Sequence, residues 1–245
     1  MGKVTQSLEI PSYMVDELRR LRAASFFELS QQIAIPGAAR FSDEKLAERD
    51  GVWILARMQT KFRRLPVRDD KVTLSTWHKG VKGGLFFVRD YEMLSGQGEV
   101  LVQSTSSWIV MSRTRRKAMR PSSFADIIPS EPQCPDNAIE DLAPKVAAPH
   151  SSEWQKKGEH RVAYSDVDYN HHANNTKYIA WAMDLLPEEL TLGSDIAEVS
   201  INYTKEARMG ELVELYHTSD GTSHFVEGRV GAQQIFICSL TFSQA

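Results

Sequence analysis

Apolar residues recur every three or four positions in one early segment, at Leu18, Leu21, Phe26, Leu29 and Ile33. That spacing predicts a helix over Met14–Ala34. Alternation then replaces it. Trp53–Phe62, Lys71–His78, Leu85–Leu94 and Val100–Met111 read as strands, the last two preceded by the turn texts KGVKGG and SGQGE. The order repeats further on. Asn174–Leu186 reads as a helix closed by Pro187, followed by strands over Glu198–Thr204, Leu212–Ser219, Ser223–Gly231 and Gln234–Phe242. The pattern predicts an α+β protein with two similar halves, each a helix followed by an antiparallel meander.

Between the halves the pattern fails. Six of the ten prolines (Pro121, Pro129, Pro132, Pro135, Pro144 and Pro149) fall within 121–157, where PSEPQCPDNA has no apolar period. Proline removes backbone donors and breaks helices and central strands. We expect a linker over 121–157, with a short helix near Ala138–Leu142, joining modules at 1–120 and 158–245. Aligning Phe62–Leu74 with Tyr203–Leu215 pairs aromatic with aromatic, Val72 with Val213 and Leu74 with Leu215, at an offset of 141 residues. Leu65 then falls opposite Glu206, so the second copy alone carries a carboxylate there.

Composition narrows the classes. With 42% hydrophobic and 25% charged residues, the 245-residue chain is neither disordered nor fibrous. A net charge of −3 argues against a general nucleic-acid binder. The start, MGKVTQSLEIPSY, has no apolar h-region, and no run of about 18 apolar residues occurs, so a cytoplasmic protein without a membrane span is expected. Cys134 and Cys238 are read as reduced thiols.

The segment richest in candidate chemistry is Arg161–Trp181, RVAYSDVDYNHHANNTKYIAW. A loop holding Asp166, Asp168, Asn170, His171 and His172 leads into the second predicted helix. Asn174 or Asn175 is well typed as its N-cap. Free N–H groups at a helix start can polarise a carbonyl whose oxygen gains charge in acyl transfer. Asp, Asn and His also gather in turns for local reasons, so a purely structural loop stays open. A metal centre has little support, because no HxxxH or CxxC spacing occurs. Nor does any GxGxxG, P-loop or GxSxG text.

Asp168-x-Asn170-x-His172-x-Asn174-Asn175-x-x-Tyr178 resembles the active-site loop of the acyl-acyl carrier protein thioesterases, a double-hotdog family. Tyr203-x-x-Glu206 is similar to that family's second active-site segment, although Ala207 stands where a cysteine often follows the glutamate. Trp53, Arg57, Pro66, Thr76-Trp77, Ser107-Trp108 and Arg113–Arg116 also fit, so the resemblance runs from about Tyr13 to the end, outside the linker.

The resemblance implies two tandem hotdog modules, each a long helix packed in an antiparallel sheet. It implies hydrolysis of fatty acyl-acyl carrier protein without a cofactor or metal. Asp168, Asn170, His172 and Glu206 would be catalytic, with Asn174 and Asn175 contacting substrate. The amino-terminal module would shape the acyl pocket, with Phe26, Phe27 and Met58 as pocket candidates. Five basic residues within 113–120 suggest a surface for an acidic carrier, centred on Arg113, Arg115 and Arg116. No nucleic-acid partner is expected, and self-association into a homodimer stays open. An acyl-CoA thioesterase of the same superfamily and a non-catalytic acyl-binding protein are the competing readings.

Overall fold

The computed structural model describes residues 2–39, 43–149 and 153–243. In chain order they form β1 (Val4–Glu9), α1 (Ala23–Ala39), α2 (Asp43–Glu48), β2 (Gly51–Phe62), β3 (Lys71–Lys82), β4 (Phe86–Ser95) and β5 (Val100–Ser112). Then come β6 (Gln155–Arg161), α3 (Asn175–Asp184), α4 (Glu188–Gly193), β7 (Ile196–Tyr203), β8 (Leu212–Ser219), β9 (Ser223–Val230) and β10 (Gln233–Phe242). Two compact units result. The amino-terminal unit comprises Met1–Leu21 and Glu28–Ala143, and the carboxy-terminal unit comprises Arg22–Phe27 and Pro144–Ala245.

The amino-terminal unit orders its antiparallel strands β1-β3-β4-β5-β2, and the carboxy-terminal unit orders its own β7-β10-β9-β8-β6. The eight strands expected from alternation are all present. Two more, β1 and β6, were not expected. Both are edge strands, and the sequence of β6, QKKGEHR, offers no alternation to read.

The first helix departs from its predicted bounds at both ends. Residues before Ala23 form a short 3-10 turn at Ser12–Met14 and a tight loop with Arg19 at φ 64°, not helix. Beyond Ala34 the helix runs on through Ile35-Pro36-Gly37 to Ala39. No helix forms near Ala138–Leu142. The backbone there is spent on the sheet instead: Ala138 N–H donates to Asp90 Oδ2 at 2.8 Å, and Lys79 Nζ donates to the carbonyls of Ile139 and Glu140.

The proline-rich segment is sewn onto β3. Val81 N–H donates to Ser130 O, Gln133 N–H to His78 O, and Trp77 Nε1 to Asp136 O, at 2.8–2.9 Å. Gly80, at φ +89°, makes the crossing feasible, since a Cβ there would lie 2.7 Å from Ser130 O. A segment poor in N–H donors is therefore held largely through its carbonyls. Beside it, Leu46, Phe87, Val110, Phe124 and Ile128 form a buried cluster.

In the carboxy-terminal unit, the rings of His217 (β8) and His224 (β9) stack with centroids 5.4 Å apart, and Nε2 of the first lies 3.1 Å from Nδ1 of the second. Burial lowers both pKa values below 6.5. His224 and Lys157 lower His217 further, while Asp220 opposes the shift at His224. The unfolded chain therefore takes up protons first on acidification. The stability tied to the neutral pair is present above the ordinary histidine pKa and is lost as pH falls through it. Melting curves should drop between about pH 7 and 5, and His217→Gln with His224→Gln should flatten that drop. An unchanged slope in the double variant would refute this assignment.

Candidate active site

The loop before α3 is a tight turn pinned at several points. Asp168 N–H donates to His172 O at 3.1 Å, His171 N–H donates to Asp168 O at 3.0 Å, and His171 takes φ +65°. Asn174, not Asn175, is the N-cap: its Oδ1 accepts from Thr176 N–H at 3.0 Å and from Thr176 Oγ1 at 2.9 Å. Asn175 is the first helical residue. The other end of the Asn174 amide, Nδ2, donates to Asp168 Oδ2 at 3.3 Å, and Asn170 N–H donates to Asp168 Oδ1 at 2.9 Å.

Glu206 arrives from the segment after β7. Ala173 N–H donates to Ala207 O at 2.7 Å, and Ala207 N–H donates to the Tyr178 hydroxyl at 3.0 Å. Both backbone groups of the residue after Glu206 are thus tied to the loop before α3 and to α3 itself. Tyr178 is fixed by stacking on Phe236, centroids 5.0 Å apart at 8°. Phe236 in turn lies over Gly228, where any Cβ would collide with the ring. Burial pushes the Tyr178 pKa up to about 12, so its hydroxyl stays protonated. Tyr178 appeared in the sequence motif; its service to Glu206 was hidden, because the two are joined only through the fold.

His172 stands between the two carboxylates. Its Nδ1 lies 4.0 Å from Asp168 Oδ1 and its Nε2 lies 4.0 Å from Glu206 Oε1. These are contacts that a small ring movement or a substrate would close into hydrogen bonds. All three side chains are partly exposed, with 27% of His172, 14% of Asp168 and 32% of Glu206 accessible. Tyr164, Tyr169 and Met209 are exposed large apolar side chains on the same segments. Asn170 is exposed beside them. Arg113, Arg115 and Arg116 lie exposed in the turn after β5 of the amino-terminal unit, where Asp50 accepts from Thr114 N–H and Thr114 Oγ1. No group of three or more metal-ligating side chains gathers among the described residues. No described helix is long and apolar enough to cross a membrane.

The amino-terminal unit contains a copy of this loop that sequence reading missed. The 3-10 turns Ser12–Met14 and Tyr164–Asp166, the bridges Val15–Leu21 and Val167–Ala173, and the left-handed residues Arg19 and His171 are each 152 residues apart. Asp16 therefore corresponds to Asp168, Leu18 to Asn170 and Arg20 to His172. Leu65 corresponds to Glu206 through the 141-residue offset, which also relates the end of β2 to the end of β7 and the start of β3 to the start of β8. The retained acid is occupied: Arg20 holds Asp16 through N–H at 2.8 Å and Nε at 2.9 Å.

Comparison with known proteins fits this two-copy design. A model of the acyl-ACP thioesterase N-terminal domain matches residues 2–126, and one of the C-terminal domain matches residues 150–238. The chain belongs to the acyl-ACP thioesterase family. It is 30% identical over 178 residues to a palmitoyl-acyl carrier protein thioesterase of Cuphea hookeriana, covering 69% of this chain and 41% of that one. It is 25% identical over 190 residues to oleoyl-acyl carrier protein thioesterase 2 of Arabidopsis thaliana, covering 74% and 51%. The chain thus spans about half the length of the curated relatives it matches. In structure it superimposes on an acyl-ACP thioesterase from Bacteroides thetaiotaomicron with a TM-score of 0.82 (24% identity, 98% of both chains). It also superimposes on the 12:0-ACP thioesterase from Umbellularia californica with a TM-score of 0.84 (20% identity, 98% and 97%). The fold is that of this family, two hotdog modules of α+β class.

Proposed function

We propose that the chain hydrolyses the thioester joining a fatty acyl group to the phosphopantetheine arm of acyl carrier protein. The observation that carries this reading is an imidazole poised 4.0 Å from each of two carboxylates in a member of this family. The carboxylates are not equivalent. Asp168 already accepts hydrogen bonds at both oxygens, whereas among the described residues the close polar partner of Glu206 is His172. Glu206 is accordingly the carboxylate suited to take a proton from water as its oxygen attacks the thioester carbon. That proton passes from Glu206 to His172 Nε2, which delivers it to the thiolate as the C–S bond breaks. Ala173 O holds the imidazole through Nδ1 at 3.3 Å, Asp168 polarises it from 4.0 Å, and Asn170 and the start of α3 orient the carbonyl.

Cysteine chemistry finds no support in the catalytic unit. Ala207 follows Glu206, and burial pushes the pKa of the fully buried Cys238 up to about 12. We assign turnover to the carboxy-terminal module and acyl-chain selection to the amino-terminal one. Arg113, Arg115 and Arg116 are proposed to dock the acidic carrier.

The test is release of free thiol from acyl-carrier and acyl-CoA thioesters of varied chain length. Turnover on the carrier-bound substrate supports the reading; binding without release would replace it with an acyl-binding role. If the arginines dock the carrier, raising salt from about 50 to 200 mM should slow the carrier reaction more than the CoA reaction. Equal slowing would remove the docking assignment.

A further inference from the structure

The catalytic loop and its amino-terminal copy are closed in different ways. In the copy, the turn is clamped from within by the Asp16–Arg20 pair. In the catalytic loop, the corresponding side chains, Asp168 and His172, stand 4.0 Å apart, and His172 Nδ1 instead donates to Ala173 O at 3.3 Å. Besides the bonds of Asp168 to Asn170 N–H and Asn174 Nδ2, a second carboxylate supports that turn. Directly behind it lies Asp166, 6% exposed. Its Oδ2 accepts from Ala163 N–H at 2.8 Å and from His160 Nε2 at 2.7 Å, while its carbonyl accepts Asn174 N–H at 2.8 Å. The His160 ring is itself stacked on Trp181 of α3, centroids 4.4 Å apart at 29°. Asp184 on α3 faces the same histidine, and burial raises its pKa against the opposing effects of His160 and Arg22.

The 152-residue offset supplies an internal control. Met14 stands at the position of Asp166, Leu8 at that of His160 and Leu29 at that of Trp181. The same backbone turn therefore forms with an apolar residue at all three positions. A hydrogen-bonded ring-and-carboxylate pair is not what the fold requires; it occurs in the module whose turn lacks the acid–arginine pair.

We infer that His160 and Asp166 are positioning residues that hold the turn carrying Asp168 and His172 from behind. This rests on the reading of that loop as the catalytic one. Asp166 ties the turn to Ala163 N–H and Asn174 N–H, and His160, braced by Trp181, holds the Asp166 carboxylate in place. Displacing reacting groups by about 1 Å can cost 100-fold in rate. Loss of the brace should therefore act on kcat rather than on binding of the acyl chain.

The decisive variant copies the amino-terminal module, His160→Leu with Asp166→Met. It should keep the wild-type melting transition and KM within about threefold while kcat on acyl-carrier thioester falls about 10- to 100-fold. Wild-type kcat in that folded variant overturns the proposal. Should it fail to fold, Asp166→Ala and His160→Gln decide the matter. The first removes the acceptor of both bonds and should lose kcat. The second, whose amide can still donate to Asp166, should retain most of it. Wild-type kcat in Asp166→Ala, or equal loss in both, counts against the brace. His172→Ala separates the two levels: full activity there removes the catalytic reading itself. An inactive His172→Ala beside a fully active His160→Leu/Asp166→Met removes only the brace.

Discussion

Glu206→Gln should cut turnover on acyl-carrier thioester by about 100-fold or more, and His172→Ala should do the same, the scale expected for a lost acid–base group. The two should differ in what remains. Glutamine keeps the size and hydrogen-bonding reach of glutamate but cannot accept the proton of water, so Glu206→Gln should bind substrate normally and fail in kcat. Glu206 is partly exposed and tied to the rest of the site through the backbone of Ala207, so this substitution leaves the fold intact. In the proposed mechanism Glu206 and His172 act on one proton path, so the double variant should be little worse than either single one. Rates are read as thiol released per folded molecule, with far-UV circular dichroism as the check on folding. If Glu206→Gln keeps more than about a third of wild-type kcat, Glu206 is not the base, and Asp168 inherits the role.

The strands and the second helix could be read from the chain because each places a long alternating or periodic run in a half-buried setting. β8 matches its expected bounds, Leu212–Ser219, residue for residue. What could not be read follows from edges and from through-space partners. β6 is nearly all polar because it is an edge strand with mostly exposed side chains. The first helix was expected to begin at Met14 because Leu18 and Leu21 continue its spacing. Leu18 is in fact 48% exposed in the copied turn, and Leu21 is buried there, its N–H donating to Pro66 O at 2.8 Å.

The candidate site shows the same division. Asp168, Asn170 and His172 share one tight turn, so local text reveals them. Glu206 lies outside that text and was reached through the resemblance and the 141-residue offset. The amino-terminal copy escaped notice because duplication preserved the backbone of the loop and not its letters. Asp16-Glu17-Leu18-Arg19-Arg20 shares only its first residue with Asp168-Tyr169-Asn170-His171-His172. The conserved quantities are a left-handed fourth residue and the same backbone bonds, neither of which is visible in residue types when arginine and histidine fill the position.

Asp90→Ala should be the most destabilising of the substitutions considered, because it leaves a charge buried without its partner. Lys79 and Asp90 are 3% and 0% exposed, 3.4 Å apart. Burial raises the Asp90 pKa, an effect that Lys79, Thr105 and Ala138 N–H oppose. With the carboxylate gone, Lys79 retains only the carbonyls of Ile139 and Glu140, and Ala138 loses its acceptor. Breaking a buried pair from one side typically costs about 3–5 kcal/mol. For a protein of this size that corresponds to a melting temperature lower by roughly 10 °C. The proline-rich segment should loosen first, because Ala138–Glu140 is fastened to the sheet by this pair. Trp77, whose Nε1 donates to Asp136 O in the same segment, gives a fluorescence signal for that release. Lys79→Met with Asp90→Leu should recover only the part of the loss due to the unpaired ammonium, since Ala138 N–H and the carbonyls of Ile139 and Glu140 lose these partners. A melting temperature within about 2 °C of wild type for Asp90→Ala would show that water reaches the ammonium and that the pair does not fasten the segment.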